Sequence, residues 1–176
     1  MYDRGVLTLA ILGFLYEQPL HGYELKDRIQ SLTGHVKAVS DGALYPALTR
    51  LETAGLLTKQ TGPGAAGAPR QTLSLTEAGR AELLRRLREP AQSEISDRNK
   101  YFTLLAFLRH LPDKAERDAV LQRRLDFLDA PARFFSADGK TMRSSDLADP
   151  YRRGMIEVAK ATRDAERAWL RAELGS

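Results

Sequence analysis

The chain has 176 residues, 43% of them apolar, a net charge of +4 and an isoelectric point near 9.5. That length holds one domain or two small ones, and the apolar share excludes a disordered charged tail. With no cysteine, disulfides, thiolate metal sites and a cysteine nucleophile are excluded.

The N-terminus carries an acid beside its base (Asp3-Arg4), and no small-residue cleavage site follows the apolar stretch Val6 to Leu15, so no signal peptide is expected. No apolar run approaches the ~20 residues that cross a bilayer. A cytoplasmic protein is the expectation, with no membrane partner and no cofactor. The positive balance is compatible with nucleic acid but weak evidence for it, because acids nearly cancel the bases in the N-terminal part.

Residues 5–17 predict a first helix, with Leu7, Ile11 and Phe14 at helical spacing and a stop at Gln18-Pro19. Gly22 to Ser31 predict a second, ended by Thr33-Gly34. Ser40-Asp41-Gly42 supplies cap chemistry for a third, with Leu44, Leu48 and Leu51 as its buried stripe and Pro46 in or near the first turn. Gly55 sits where a left-handed cap belongs.

The period then changes. Leu56 to Gln60 and Arg70 to Leu75 predict two strands around a Gly/Pro/Ala loop, and Thr76 caps a helix running to about Arg88. Glu89-Pro90-Ala91-Gln92-Ser93 marks the expected domain boundary, giving domains 1–89 and 90–176. Helices are predicted over 96–110, from an Asp113/Glu116 capping box to Pro131, and over 151–174, with Asp138 to Pro150 as loop. The last helix carries Met155, Val158, Ala159, Thr162, Ala165 and Trp169 on one stripe. The fold class is mainly α: an N-terminal winged helix-turn-helix of three helices and a two-stranded wing, then an all-helical C-terminal region.

The segment from Gly42 to Leu57 has the arrangement of a DNA recognition helix, with Tyr45, Thr49 and Arg50 on its outward face. Arginine can pair with a guanine edge or neutralise a phosphate. Periodicity alone favours an ordinary surface helix, because helical stripes are common. Lys59 and Arg70 flank the wing loop and suit phosphates, or are two solvated charges. Gly62 to Gly67 matches G-x-G-x-x-G, but a strand-like run follows it instead of a helix, so a dinucleotide site is set aside. His21, His35 and His110 lie in no ligand-spaced motif, and no catalytic constellation is visible. Trp169 is a core or dimer anchor, or a wall of a ligand pocket.

Three motifs carry a resemblance. Pro19-Leu20-His21-Gly22-Tyr23-Glu24-Leu25 comes first. Leu44-Tyr45-Pro46-Ala47-Leu48 follows, with Arg50-Leu51-Glu52 and Gly55-Leu56-Leu57. Leu75-Thr76 with Ala78-Gly79-Arg80 comes last. In this order, over about residues 5–85, they resemble the PadR family of transcriptional regulators. Phe107 to Pro112 and Ala168-Trp169-Leu170 are more loosely similar to the helical dimerisation region of its longer subgroup. The resemblance implies a homodimer clasped through C-terminal helices and bound to a near-palindromic DNA operator. It also implies a regulator, mostly a repressor, that a small-molecule effector can release.

On that basis the DNA-binding candidates are Lys37 and Ser40 for phosphate, Tyr45, Thr49 and Arg50 for bases or backbone, and Lys59 and Arg70 for the wing. Phe102, Phe107, Tyr151 and Trp169 are the effector-pocket candidates. The wing departs from the family: Ala68, Gln71, Leu73 and Ser74 leave Arg70 as the one base before the Leu-Thr pair. A competing reading is a winged-helix protein-interaction module that binds no DNA, which exposed apolar groups on the third helix would favour.

Overall fold

The computed structural model describes residues 3–32, 39–63, 69–131, 136–137, 140–141 and 143–175. The Thr33-Gly34 stop, His35, Lys37 and the loop glycines Gly64 and Gly67 lie outside the described residues. The chain forms two compact units, 1–117 and 118–176.

The first unit is built around α1 (Arg4–Glu17), whose Leu7, Leu9, Ala10, Ile11, Leu12 and Leu15 are all buried. A helix apolar on every side must be enclosed, and α1 packs against α2 (Gly22–Leu32), α3 (Asp41–Thr53), α4 (Glu77–Arg88) and α6 (Arg98–Phe107). Asp3 caps it by accepting from the Gly5 and Val6 amides, at 2.9 and 3.3 Å.

The expected wing is present as β2 (Leu57–Pro63) and β3 (Pro69–Leu75), antiparallel from Leu57↔Leu75 to Pro63↔Pro69. The sheet nevertheless has three strands. β1 (Leu20–His21) pairs with the far edge of β3, Leu20 opposite Leu73, giving the order β1-β3-β2. Two residues are too short to show an alternation, so this strand leaves no periodic signal.

Two local expectations are corrected. Pro46 is the sixth residue of α3 and lies in its second turn. Lacking an N–H, it leaves the Gly42 carbonyl without its helical partner, and both residues are exposed. At α7 (Lys114–Asp129), Asp113 accepts from the Ala115 amide at 2.9 Å, but Glu116 turns away to Arg88 at 2.7 Å, so the capping box is half made.

The polar break at 89–93 is the turn between α4 and the short α5 (Gln92–Ser96). The compact units divide later because α6 belongs with the first: Phe107 sets its ring edge-on to Phe14, centroids 5.0 Å apart, over Gly13.

The second unit pairs the rest of α7 with α8 (Pro150–Leu174) and also contains the short strands β4 (Ser136–Ala137) and β5 (Lys140–Thr141), antiparallel to one another. Buried Arg124 donates to Glu166 at 2.7 and 3.1 Å. Arg163 donates to the carbonyls of Leu128 and Ala130, and Arg171 and Arg167 reach Asp129, so α8 supplies the cap for α7.

Candidate nucleic-acid interface

α3 is held by its inner face. Leu44, Ala47, Leu48 and Leu51 are buried, at spacings of three, one and three. The opposite face carries Tyr45, Thr49 and Arg50, all exposed, together with Glu52 and Thr53. Sequence spacing placed the three outward residues correctly because the buried leucines set the helix rotation. Thr49 donates its hydroxyl to the Tyr45 carbonyl at 3.1 Å. Among the described residues Arg50 has no ion-pair partner, so its guanidinium points into solvent uncommitted.

The helix starts at an extended Ser40, whose carbonyl accepts from the Ala43 and Leu44 amides at 3.0 Å. The Ser40 hydroxyl makes no cap bond and is exposed, which corrects the expectation of a side-chain cap. α3 ends at Ala54, and Gly55 takes φ +70°, the left-handed turn that glycine accepts without strain.

Two acids on α3 would repel phosphate. Both are paired from neighbouring elements, and neither partner was foreseen from the sequence. Lys26 of α2 reaches Asp41 at 2.7 Å, and that carboxylate raises the lysine pKa above its ordinary value. Lys59 of β2 reaches Glu52 at 2.5 Å. A count of charges signals that these acids need partners. Separations of fifteen and seven residues do not identify them.

Lys59 therefore sits differently from expectation. It lies opposite Leu73 in the ladder, four residues before Pro63, and is tied to α3 instead of flanking the wing tip. Arg70 pairs in backbone register with Gly62, at the tip end of the hairpin.

The wing and α4 are fastened to α3 by the Leu-Thr and Ala-Gly-Arg motifs. Thr76 donates its hydroxyl to the Gly55 carbonyl at 2.7 Å and accepts from the Gly79 amide at 3.0 Å. Arg80 lies over the Tyr16 ring, 5.1 Å from its centroid, and reaches the Tyr16 carbonyl near the C-terminal end of α1.

Two histidines, His21 and His110, lie among the described residues. His21 Nδ1 donates to the Gln71 carbonyl at 3.0 Å. His110 stacks on Phe107 at 6.2 Å and meets the tilted Tyr16 ring at 4.8 Å, and burial lowers its pKa.

Of the four aromatics expected around an effector, Phe102 and Phe107 belong to the first unit and Tyr151 and Trp169 to the second. Phe107 is core, its ring filling the space over Gly13, which corrects its assignment to a pocket wall. Phe102 lies exposed on α6 with the Arg98 guanidinium 4.9 Å over it. Tyr151 and Trp169 are exposed on α8 but eighteen residues apart, about 27 Å along the helix axis.

Residues 11–85 match the Transcriptional regulator PadR-like family. The chain is 34% identical over 111 residues to the transcriptional regulator YqjI of Escherichia coli (strain K12), an overlap of 63% of this chain and 51% of that protein. It thus spans about half the length of that relative. It is 38% identical over 82 residues to the transcriptional regulator Rv3488 of Mycobacterium tuberculosis, covering 47% of this chain and 73% of that one. Among solved structures, Bacillus subtilis PadR in complex with operator DNA overlaps 97% of this chain and 98% of its own, at 21% identity and a TM-score of 0.45. The matched residues take in α2, α3, the wing and the start of α4 as described above, and the chain belongs to the PadR-like family of transcriptional regulators.

Proposed function

We propose that this regulator binds double-stranded DNA sequence-specifically, as a two-fold homodimer in the cytoplasm, and represses until a small molecule releases it. The observation that carries the DNA reading is the outward face of α3: exposed Tyr45, Thr49 and Arg50, with both nearby acids already neutralised by lysines. Such a face can enter a major groove. It lacks the cluster of exposed apolar groups that a protein-interaction surface would carry. Ser40, Lys37 and Arg70 are assigned to phosphate.

Self-association is supported by α8. Tyr151, Met155, Val158, Thr162, Ala165 and Trp169 alternate in steps of four and three, the period of a coiled-coil seam. Tyr151 is 87% and Val158 67% exposed in the single chain. Two-fold symmetry then implies a near-palindromic operator. An effector can release DNA only if it binds the two dimer arrangements with different affinity. Phe102, Tyr151 and Trp169, each exposed, remain the aromatic candidates for it. Among the described residues no helix is long and apolar enough to cross a membrane.

Selection of bound duplexes from a random pool tests the reading, and a motif with two-fold symmetry is expected. Arg50→Ala should then weaken operator binding by about 1–3 kcal/mol if Arg50 reads a base, or flatten the salt dependence if it meets only phosphate. Wild-type binding by both Arg50→Ala and Arg70→Ala would remove these assignments.

A further inference from the structure

We infer that a cleft between the start of α2, α3 and the sheet seats one backbone phosphodiester of duplex DNA, and that Glu52 withholds Lys59 from it until DNA binds. This rests on the DNA reading above. It adds His21, Tyr23 and Gln71 to the interface and gives Glu52 a restraining role.

The cleft has a volume of about 270 Å³. Its rim is formed by His21, Tyr23, Tyr45, Lys59 and Gln71, and Leu73 lies beneath. Two phenols, an imidazole, a primary amide and an ammonium supply donors, and no carboxylate is among the described lining residues; Glu24, next to Tyr23, accepts weakly from its hydroxyl at 3.5 Å and from the His21 amide at 2.9 Å. That donor set suits a tetrahedral oxyanion.

Its construction is defined. Tyr23 stacks on His21 with the rings 13° from parallel. The bond from His21 to the Gln71 carbonyl ties that stack to β3. Tyr45 leans over the first residue of α2, its ring and hydroxyl each 3.7 Å from where a Cβ on Gly22 would stand. Tyr23 and Tyr45 are both more than half exposed, so the cleft opens beside the outward face of α3. A cleft between a groove-entering helix and its wing faces the sugar-phosphate strand bordering that groove.

Among the described residues Lys59 is the one full cation on the rim, and its ammonium is held 2.5 Å from Glu52. The Glu52 side chain is 41% exposed and the lysine 21%. Exposed ion pairs are weak, so an incoming phosphodiester can replace one monoanion with another while Glu52 returns to water. Until then Glu52 cancels the lysine charge, so the cleft presents no net cation to the approaching strand.

Binding of a labelled mixed-sequence duplex and of a selected operator, titrated across salt, tests this. Glu52→Gln should tighten both by up to about fivefold at low salt, with the gain shrinking as salt rises. Misfolding cannot mimic a gain in binding. Lys59→Gln should lower the salt slope by about 0.9, one phosphate contact. In that background Glu52→Gln should lose most of its effect. Tyr23→Phe should weaken both duplexes without changing the slope.

Wild-type binding by Glu52→Gln at every salt would overturn the inference while leaving DNA binding standing. Failure of the wild-type chain to bind any duplex would instead remove the DNA reading itself. Inorganic phosphate at constant ionic strength separates a free-anion pocket from a duplex seat. Saturating amide shifts at Tyr23 and Lys59, with duplex binding indifferent to Glu52→Gln, would overturn the duplex assignment.

Discussion

Gly79→Ala probes the joint that holds the wing and α4 against the end of α3. A Cβ at Gly79 would stand 2.0 Å from the Leu56 carbonyl oxygen and 2.9 Å from Leu75 Cδ2. The oxygen cannot yield alone, because it accepts from the Thr76 amide at 3.1 Å and the Leu56 amide is itself bonded to Leu51 at 2.9 Å. Restoring an ordinary contact moves α4 by roughly 1 Å, and overpacking of this kind costs about 1–3 kcal/mol. That shift stretches the two Thr76 bonds to the Gly55 and Leu56 carbonyls, each worth about 1 kcal/mol. Alanine regains about 1 kcal/mol of helix propensity. The net is a loss of about 2–4 kcal/mol, or roughly 10 °C in the melting midpoint for a chain of this length. Circular dichroism at the helix minimum reads it. Gly42→Ala is the control, since a Cβ there meets nothing within 4 Å. A Gly79→Ala midpoint equal to that of the control would refute the reasoning.

Further expectations concern charge. Arg124→Met leaves Glu166 buried without its partner and should cost about 3–5 kcal/mol in denaturant unfolding, whereas Arg124→Met with Glu166→Leu should recover most of it. Glu82 lies between Arg85 and Arg86, which hold its carboxyl down to about 2. Its contribution is complete above the ordinary value near 4.5 and fades as pH falls toward 2. Glu82→Gln should therefore flatten the melting midpoint between those pH values. Burial lowers the His110 pKa, so its contribution is complete above 6.5 and is lost on acidification through the folded value; proton NMR of the imidazole should show titration below 6.5. If the proposed α8 seam holds two copies together, Met155→Glu with Val158→Glu should leave a monomer by light scattering and weaken operator binding; an unchanged oligomeric mass would count against the seam.

The legible parts of this protein are those where one short stretch suffices. The first helix, the α3 leucine stripe, the Gly55 cap, the wing ladder and the Thr76 cap each depend on neighbours within a turn or a hairpin. The outward position of Tyr45, Thr49 and Arg50 follows from the same stripe. What escaped needed partners distant in the chain. β1 exists because Leu20 meets Leu73, fifty-three residues away.

By itself, then, the order of residues determined the winged helix, its family and the candidate reading face, because periodicity, caps and turns are local physics. Only the tertiary structure decided where the charges go and which aromatics are free. Glu52 takes Lys59, Asp41 takes Lys26, and Phe107 is spent on Gly13. Each outcome depends on two elements meeting at a given rotation, and side-chain pairing is settled only once the backbones have been brought within a few ångströms.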